Sequence, residues 1–276
     1  MNHESLILMY LQKIEKAMSM PHRREVFAQD VIRKLIQVYL NNKVNLLPEI
    51  TQGIFETIYK YKQCLNLEII ENRDIINFIN DFLKQQNFHI NEFINKNKDK
   101  SYYFDLLKDL MKNRYSVRNY TDKSVSYDLI EKSLEIANSL PTPCNRQACS
   151  LIIIENKNIR EEILKNQQGN QGFSAPILAA IAVDKTAFTQ EHESFSPYFH
   201  AGSFTSGFII GLESVGLCSC ILNWHVSNEV NIKIKTLLKI KEKEIAAFIF
   251  IGYAKLGRLE AYSVKKTSKN LVEIIS

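Results

Sequence analysis

The sequence predicts a layered α/β or α+β domain that follows an N-terminal helical extension, and two observations carry this prediction. Of nine glycines, only Gly53 lies before residue 169. The first part of the chain therefore lacks the residue that permits tight turns and close backbone approach, and its apolar residues recur at helical spacing. The second part alternates short β-rich apolar runs with helical patterns, which is typical of a sheet layered with helices.

Residues 1–105 are predicted to form several amphipathic helices. After Pro21, apolar residues that largely share one side of a helix are Val26, Ile32, Leu35, Ile36, Val38 and Tyr39. Similar patterns run through 48–63, 71–86 and 101–112. This part of the sequence shows no chemistry of its own, so we expect a helical extension or cap on a domain at residues 106–276.

In the domain at 106–276, the first helix is predicted from Ser126 to Leu140, where Pro141 ends it. Further helices are predicted at 158–166, 198–215 and 227–238. Apolar β-rich runs occupy 150–154, 177–183, 217–222 and 245–251, and a last β-like run, Leu271–Ile275, ends the chain.

Composition argues against nucleic-acid and membrane partners. Residues 1–113 hold 16 Lys+Arg against 14 Asp+Glu, and residues 114–276 hold 19 against 16, so the net charge of +5 forms no concentrated basic face. No apolar run approaches the roughly 20 residues that cross a bilayer, and the N-terminus lacks a signal-peptide layout. We therefore expect a cytoplasmic protein.

Metal and nucleotide motifs are absent from the sequence. The five cysteines form no paired CxxC knuckles, and Cys218 and Cys220 lie in an apolar run that favours small buried thiols. His192 and His200 match no HExxH spacing and are expected to be surface or hydrogen-bonded histidines. Neither GxGxxG nor GxxxxGK[ST] occurs, so we expect no metal and no Rossmann or P-loop site.

The first segment that suggests chemistry is Arg114-Tyr115-Ser116-Val117-Arg118, at the end of a predicted helix. Two guanidinium groups four residues apart, with a hydroxyl between them, could converge on an anion, because the planar arginine fork makes bidentate bonds to phosphate. The alternative is a solvated basic helix end, which the helix dipole alone would favour.

The second segment is the loop from Pro141 to Gln147, directly before a strand. Its prolines stiffen the backbone, and the Asn145 and Gln147 amides each offer a donor and an acceptor. Such a loop could bind the polar edge of a planar heterocycle, or it could be a rigid helix-to-strand connection.

The third segment runs from Tyr198 to Trp224 and begins with a predicted helix rich in small residues. Each interior glycine costs a helix about 1 kcal/mol against alanine. Close approach of another helix or of a flat ligand would explain why the glycines are there.

These segments, together with Ile251-Gly252-Tyr253 at a strand end, occur in the order and spacing of the FMN-dependent nitroreductase family, which the chain resembles over about residues 106–276. The segment Tyr198–Trp224 also resembles nitroreductase-like proteins found in bacterial polysaccharide gene clusters. The resemblance implies an α+β fold with a central, mainly antiparallel sheet flanked by helices. It also implies a homodimer whose FMN sites are each built from two subunits.

The resemblance further implies a role for individual residues. Arg114 would bind the FMN phosphate, Ser116 the ribityl or phosphate oxygens, and Arg118 the ring near N1 and O2. The residues that would come from the partner subunit and cover the ring are Pro141, Thr142, Pro143, Asn145 and Gln147. The remaining contacts would be Asn170 and Gln171 at the ring edge, backbone of Cys218 and Ser219 near the ring, and Lys265 or Lys266 at the phosphate.

The implied function is hydride transfer from NADH or NADPH through FMN to a small acceptor such as a nitro, quinone or enone compound, with polysaccharide biosynthesis as one setting. No catalytic side chain is expected, because the flavin carries the redox step. Two departures put the substrate resemblance in doubt: Ala148-Cys149 replaces a common Pro-Trp, and His200 replaces a common acidic residue. The alternative is a flavin-binding or flavin-free module without turnover that acts through its helical extension.

Overall fold

The computed structural model describes residues 2–86, 102–167, 170, 172–189, 192–255, 257 and 263–275. The chain forms two compact units. Unit 1 comprises Met1–Lys98, Pro141–Ala148 and Lys185–Pro197, and unit 2 comprises Asp99–Leu140, Cys149–Asp184 and Tyr198–Ser276. The division predicted at residue 105 stays a prediction, but the helical unit also takes in two segments from later in the chain.

Unit 1 is built on helices whose apolar faces meet in one core. They are α1 (His3–Ser19), α2 (Gln29–Asn42), α3 (Pro48–Gln63) and α4 (Ile70–Gln85). Fully buried side chains at helical spacing form the centre of this core: Ile7, Ile14, Ile32, Leu35, Ile54, Ile58, Tyr61, Ile75 and Ile79. The prediction of an N-terminal helical region is therefore confirmed, and α1 also packs against the 3-10 turn Pro143–Asn145.

Unit 2 contains a four-stranded antiparallel sheet, as predicted. The strands are β1 (Cys149–Ile153), β2 (Ile177–Asp184), β3 (Cys218–Asn223) and β4 (Lys243–Gly252), in the order β1-β2-β4-β3. Its helices are α5 (Tyr102–Asn113), α6 (Tyr127–Ser139), α7 (Lys157–Asn166), α8 (Ser196–Ser214) and α9 (Asn228–Leu237). The first two residues of α8, Ser196 and Pro197, are counted with unit 1.

Alternate residues of the central strands enter two different cores, because successive side chains of a strand point to opposite faces. On β4, Phe248 and Phe250 join the core that contains Ile163 of α7 and Ile234 of α9. The intervening Ile249 joins the core that α6 and α8 complete. Helices therefore cover both faces of the sheet, which confirms the α+β fold class.

The small residues of α8 are explained by the close approach of α6. A Cβ atom at Gly211 would lie 2.4 Å from the backbone oxygen of Ser133, and one at Gly207 would lie 2.8 Å from Cα of Ala137. Of the two explanations offered for this glycine-rich helix, packing against another helix is the one that the structure supports.

The β-like run at Leu271–Ile275 forms no strand within this chain, and its addition to the sheet of a partner subunit stays a prediction. A 3-10 turn occupies Ser268–Leu271, the residues after it form no strand, and Ile275 is 97% exposed. A β-prone run becomes a strand only when a neighbouring strand accepts its backbone hydrogen bonds, and pattern alone does not provide one. Within the described part of the chain, no helix has the length and apolar character needed to cross a membrane.

Candidate functional site

The Arg-x-Ser-x-Arg segment follows α5 and pairs with the edge of the sheet. Strand β3 is an edge strand, and Ser116 forms a parallel bridge with Ser219 there. The Val117 N–H donates to the Ser219 carbonyl at 3.1 Å. This pairing brings Ser116 beside Cys218 and Ser219. The resemblance had assigned these three residues to one site, although Ser116 is about 100 positions from the other two in the sequence.

Two cations act on the same part of β3. Burial raises the pKa of the Cys220 thiol, and the charges of Arg118 and Arg114 oppose that rise. Burial also raises the pKa of Glu213 on α8, and the charge of Arg114 opposes that rise. The Arg118 guanidinium donates from Nη1 to the Ser116 carbonyl at 3.2 Å. The two arginines therefore give the beginning of β3 a positive environment.

A cavity of about 290 Å³ lies beside Arg118. Its lining combines apolar and polar side chains: Arg118, Gln167, Phe173, Cys220, Ile221, Leu222, Asn223 and His225. Gln167 is buried and donates from Nε2 to the Asn223 carbonyl at 2.6 Å. Its Oε1 is also buried but has no hydrogen-bond partner among the described residues. The cavity therefore combines a cation, side-chain amides and apolar surface, and a ligand with both polar and apolar parts fits it.

Aromatic packing holds Phe173, which lines the cavity, and Trp224, which lies between the lining residues Asn223 and His225 in the sequence. Phe173 meets Phe250 edge to face at 5.4 Å between ring centroids, and Trp224 meets Phe248 in the same way at 4.8 Å. The Trp224 Nε1–H donates to Asn231 Oδ1 at 2.9 Å. Paired aromatic rings of this kind have defined positions, so the Phe173 side of the lining is preorganised.

Several lining residues were missed by the sequence-based assignment, which stopped at Ser219. Ile221 and Asn223 follow on the same face of β3 at the two-residue period of a strand, so that period could have found them. Gln167 lies at the end of α7, three residues before the predicted Asn170. No motif distinguishes Gln167, because its role depends on contact with β3.

The other residues predicted near the ring or phosphate lie as follows. The Asn170 N–H donates to the Gln167 carbonyl at 3.3 Å, and Asn170 Oδ1 is buried without a partner in the described ranges. Gln171 lies outside the described residues. Lys265 and Lys266 are exposed and do not contribute to the described lining of the cavity. Their roles stay predictions.

The proline-containing loop belongs to unit 1. Pro141, Asn145 and Gln147 are exposed, whereas Arg146 and Ala148 are buried. The Gln147 Nε2 donates to Asn145 Oδ1 at 3.4 Å. The predicted ring-covering residues Thr142 and Pro143 are partly buried, and Thr142 Oγ1 has no partner within the described residues.

One histidine expectation needs correction. His200, expected at the surface or hydrogen-bonded, is 1% exposed, and its Nδ1 has no partner in the described part of the chain. Burial lowers its pKa to about 4, so the ring is neutral at pH 7. Within the described ranges, no three His, Cys, Asp or Glu side chains come together as metal ligands would.

The model of the Nitroreductase family matches residues 111–171. A putative nitroreductase from Bacillus subtilis is 14% identical over 62% of this chain and 99% of its own, with a TM-score of 0.53. A putative NADH dehydrogenase/NAD(P)H nitroreductase from Parabacteroides distasonis is 14% identical over 58% and 94%, with a TM-score of 0.50. A putative nitroreductase from Desulfovibrio desulfuricans, solved in complex with FMN, is 16% identical over 64% and 96%, with a TM-score of 0.50.

No curated protein sequence matches the chain. The matched segment contains Arg114, Ser116, Arg118 and the 141–147 loop, which are two of the four motifs that suggested the resemblance. The resemblance is therefore confirmed: the chain carries a Nitroreductase family segment at residues 111–171 and has the nitroreductase-like fold.

Proposed function

We propose that the protein is a flavin oxidoreductase that binds FMN along β3 and in the cavity beside Arg118. The observation that carries the proposal is this cavity, where the Arg118 cation, the side-chain amides of Gln167 and Asn223 and the Phe173 ring line one space. FMN offers a planar ring whose polar edge has acceptors and an N–H donor, and ribityl hydroxyls that also donate. The donors and acceptors of the cavity suit these groups.

Arg114 and Ser116 would hold the phosphate end of FMN. Arg114 is partly buried and contributes to the positive environment at the beginning of β3, and Ser116 is paired with Ser219. Arginine suits phosphate because its fork makes two parallel, charge-assisted bonds. Backbone of Cys218 and Ser219 would border the cofactor.

Arg118 would hold the pyrimidine side of the ring and act on its chemistry. When bound, FMN supplies the hydride-transfer chemistry, so no protein nucleophile or base is required. A fixed cation at the ring favours the form that carries negative charge. Gln167 would border the cofactor, and the lining side chains Phe173 and Leu222 would exclude water from it.

NADH or NADPH is the electron donor that we propose, in agreement with the name of the Parabacteroides relative. A donor of this kind fits a cytoplasmic location, and the acceptor and a role in polysaccharide biosynthesis stay predictions. A homodimer is supported by α5, which carries a run of exposed large apolar side chains: Tyr103, Phe104, Leu106, Leu107 and Met111. Exposed apolar patches on a folded protein mark interaction surfaces.

A non-catalytic flavin-binding module is the second candidate. It is favoured by one observation: the loop with Asn145 and Gln147 belongs to the helical unit, where it packs against α1. A partner protein that binds the helices could then sense whether flavin is bound at the loop. This role requires no turnover of a substrate.

An absorption spectrum of the purified protein, with and without NADPH under anaerobic conditions, tests the proposal. We expect up to one FMN per chain and loss of its visible absorbance when NADPH is added. A yellow protein that NADPH and NADH cannot bleach would favour the non-catalytic module. A colourless protein that does not bind added FMN at micromolar concentration would refute both.

A further inference from the structure

The 141–148 loop has an unusual backbone at the residues that present its amides. Cys144, Asn145 and Gln147 have φ angles of 51°, 53° and 48°, a left-handed conformation that is strained for residues with a side chain. Such strain persists only where the surroundings determine the conformation. Arg146 lies between the two exposed amides and is itself 4% exposed.

The contacts of Arg146 show what determines this conformation. Its Nη1 donates to Glu193 Oε1 at 2.7 Å, and its Nη2 lies 3.7 Å from the Met9 sulfur on α1. The guanidinium carbon lies 5.2 Å from the ring centroid of Phe188. All these residues belong to unit 1. Arg146 therefore connects the loop to the first helix and to the Lys185–Pro197 segment.

Glu193 is itself held in place. Its Oε2 accepts hydrogen bonds from the Thr189 N–H at 2.8 Å and from Thr189 Oγ1 at 2.7 Å. Partial burial would raise the pKa of Glu193, but the bonds from Arg146 and Thr189 lower it to about 2. The carboxylate thus stays charged at neutral pH, and Thr189 holds it in place together with Arg146.

We propose that Arg146 is a positioning residue for the flavin. Anchored by Glu193, Met9 and Phe188, it holds Asn145 and Gln147 in the left-handed conformation in which their exposed amides would bind the polar edge of a flavin held by the partner subunit, as the resemblance implies. This inference rests on the proposed function. It adds that the helical unit sets the shape of the loop. The two amides therefore have their binding conformation before the cofactor arrives.

A double-mutant cycle on FMN affinity tests the inference. We expect Asn145→Ala to weaken FMN binding about 10-fold, which is the usual effect of losing one hydrogen bond of about 1.4 kcal/mol. Arg146→Met should weaken binding at least as much. The double variant should bind within about 2-fold of Arg146→Met alone, because an unpositioned Asn145 has no contribution left to lose.

Arg23→Met is the matched control. Arg23 also belongs to unit 1, donates to the Met18 and Cys64 carbonyls, and lies 5.1 Å from the Phe27 ring, and none of these three partners belongs to the 141–148 loop. Combined with Asn145→Ala, this variant should show additive effects. If Arg146→Met does not fold, Arg146→Met with Glu193→Gln removes both charges and takes its place in the cycle.

A second measurement requires no flavin. Glu193→Ala should expose Arg146 and increase tryptic cleavage of the Arg146–Gln147 bond at least 10-fold relative to bonds after exposed lysines. Additive effects of Asn145→Ala and Arg146→Met, an Asn145→Ala variant with unchanged affinity, or unchanged cleavage would each overturn the positioning role. FMN binding by the wild-type protein is measured before any variant is compared. A wild-type protein that binds no FMN would refute the proposed function and not the positioning role.

Discussion

Gly211→Ala should destabilise unit 2, although alanine is the better helix former. In α8 the substitution contributes about 1 kcal/mol of helix propensity. The new methyl group, however, would lie 2.4 Å from the backbone oxygen and 2.8 Å from Cα of Ser133. These are backbone atoms of α6, so the helices must separate by about 1 Å to reach ordinary contact near 3.5 Å. Overpacking of this kind costs about 1–3 kcal/mol, and at the upper end the net loss is about 2 kcal/mol.

Gly202→Ala in the same helix is the matched control. Apart from the backbone of its own helix and its chain neighbours, no atom of the described residues lies within 4 Å of a Cβ built at Gly202, so only the helix propensity changes. Thermal and urea unfolding should show Gly202→Ala stabilised by up to about 1 kcal/mol and Gly211→Ala destabilised, with melting temperatures that shift by about 2–4 °C per kcal/mol. A Gly211→Ala protein as stable as Gly202→Ala would refute the close contact of α6 and α8.

Four further predictions concern the site and the assembly. Arg114→Ala should weaken FMN retention 10- to 100-fold, a loss of about 1.5–3 kcal/mol, while Arg118→Ala should slow flavin reduction more than it weakens retention; equal effects on both measurements would contradict the assigned roles. His200 is buried and has a pKa of about 4 in the folded protein. As the pH falls below 6.5, this histidine is therefore protonated in the unfolded chain while it is still neutral in the folded protein. The free energy of unfolding should therefore fall between pH 6.5 and 4 by up to about 3 kcal/mol, and a His200→Gln variant should show a smaller fall. Leu107→Asp on α5 should convert a dimer into monomers that lose FMN, as light scattering can measure; a monomeric wild-type protein that holds FMN would contradict the dimer. A protein that starts near Ser101 should bind FMN more weakly but detectably, since the loop loses α1; a soluble, folded truncation without any flavin binding would place the helices within the cofactor site.

Local structure in unit 2 could be predicted closely from the sequence. The helix expected from Ser126 to Leu140 is observed at Tyr127–Ser139, with the Ser126 side chain accepting from the Asp128 N–H. The strand expected at 245–251 is observed at Lys243–Gly252. These elements depend on a capping residue, a proline stop and an uninterrupted apolar run, all of which are local signals.

Features that depend on long-range contacts could not be predicted. The glycines at 207 and 211 suggested a close approach, but not that α6 is the neighbour. The run Leu271–Ile275 has β propensity without a strand beside it. The ion pair of Arg146 with Glu193 joins residues 47 positions apart, and nothing in the sequence marks Glu193 as the partner of the 141–147 segment.

The candidate site could be predicted only in part, because some of its contacts join residues that are far apart in the sequence. Arg114, Ser116 and Arg118 share one short segment, so their proximity follows from the chain itself. Their meeting with Ser219 depends on the bridge between Ser116 and β3, for which only the resemblance gave a reason. Gln167 was missed because its partner, the Asn223 carbonyl, is 56 residues away.

The anchor of the 141–148 loop has a consequence for the order in which the protein matures during synthesis. Helices α1 to α4 are contiguous and can collapse as soon as they leave the ribosome, but Glu193 follows Arg146 by 47 residues. At about 5–20 residues per second, roughly 2–10 seconds separate the two side chains. During that interval β1 and β2 are made while Arg146 has no carboxylate partner. The loop therefore acquires its final shape late, and a nascent chain that ends before Glu193 has its helices but not its ordered amides.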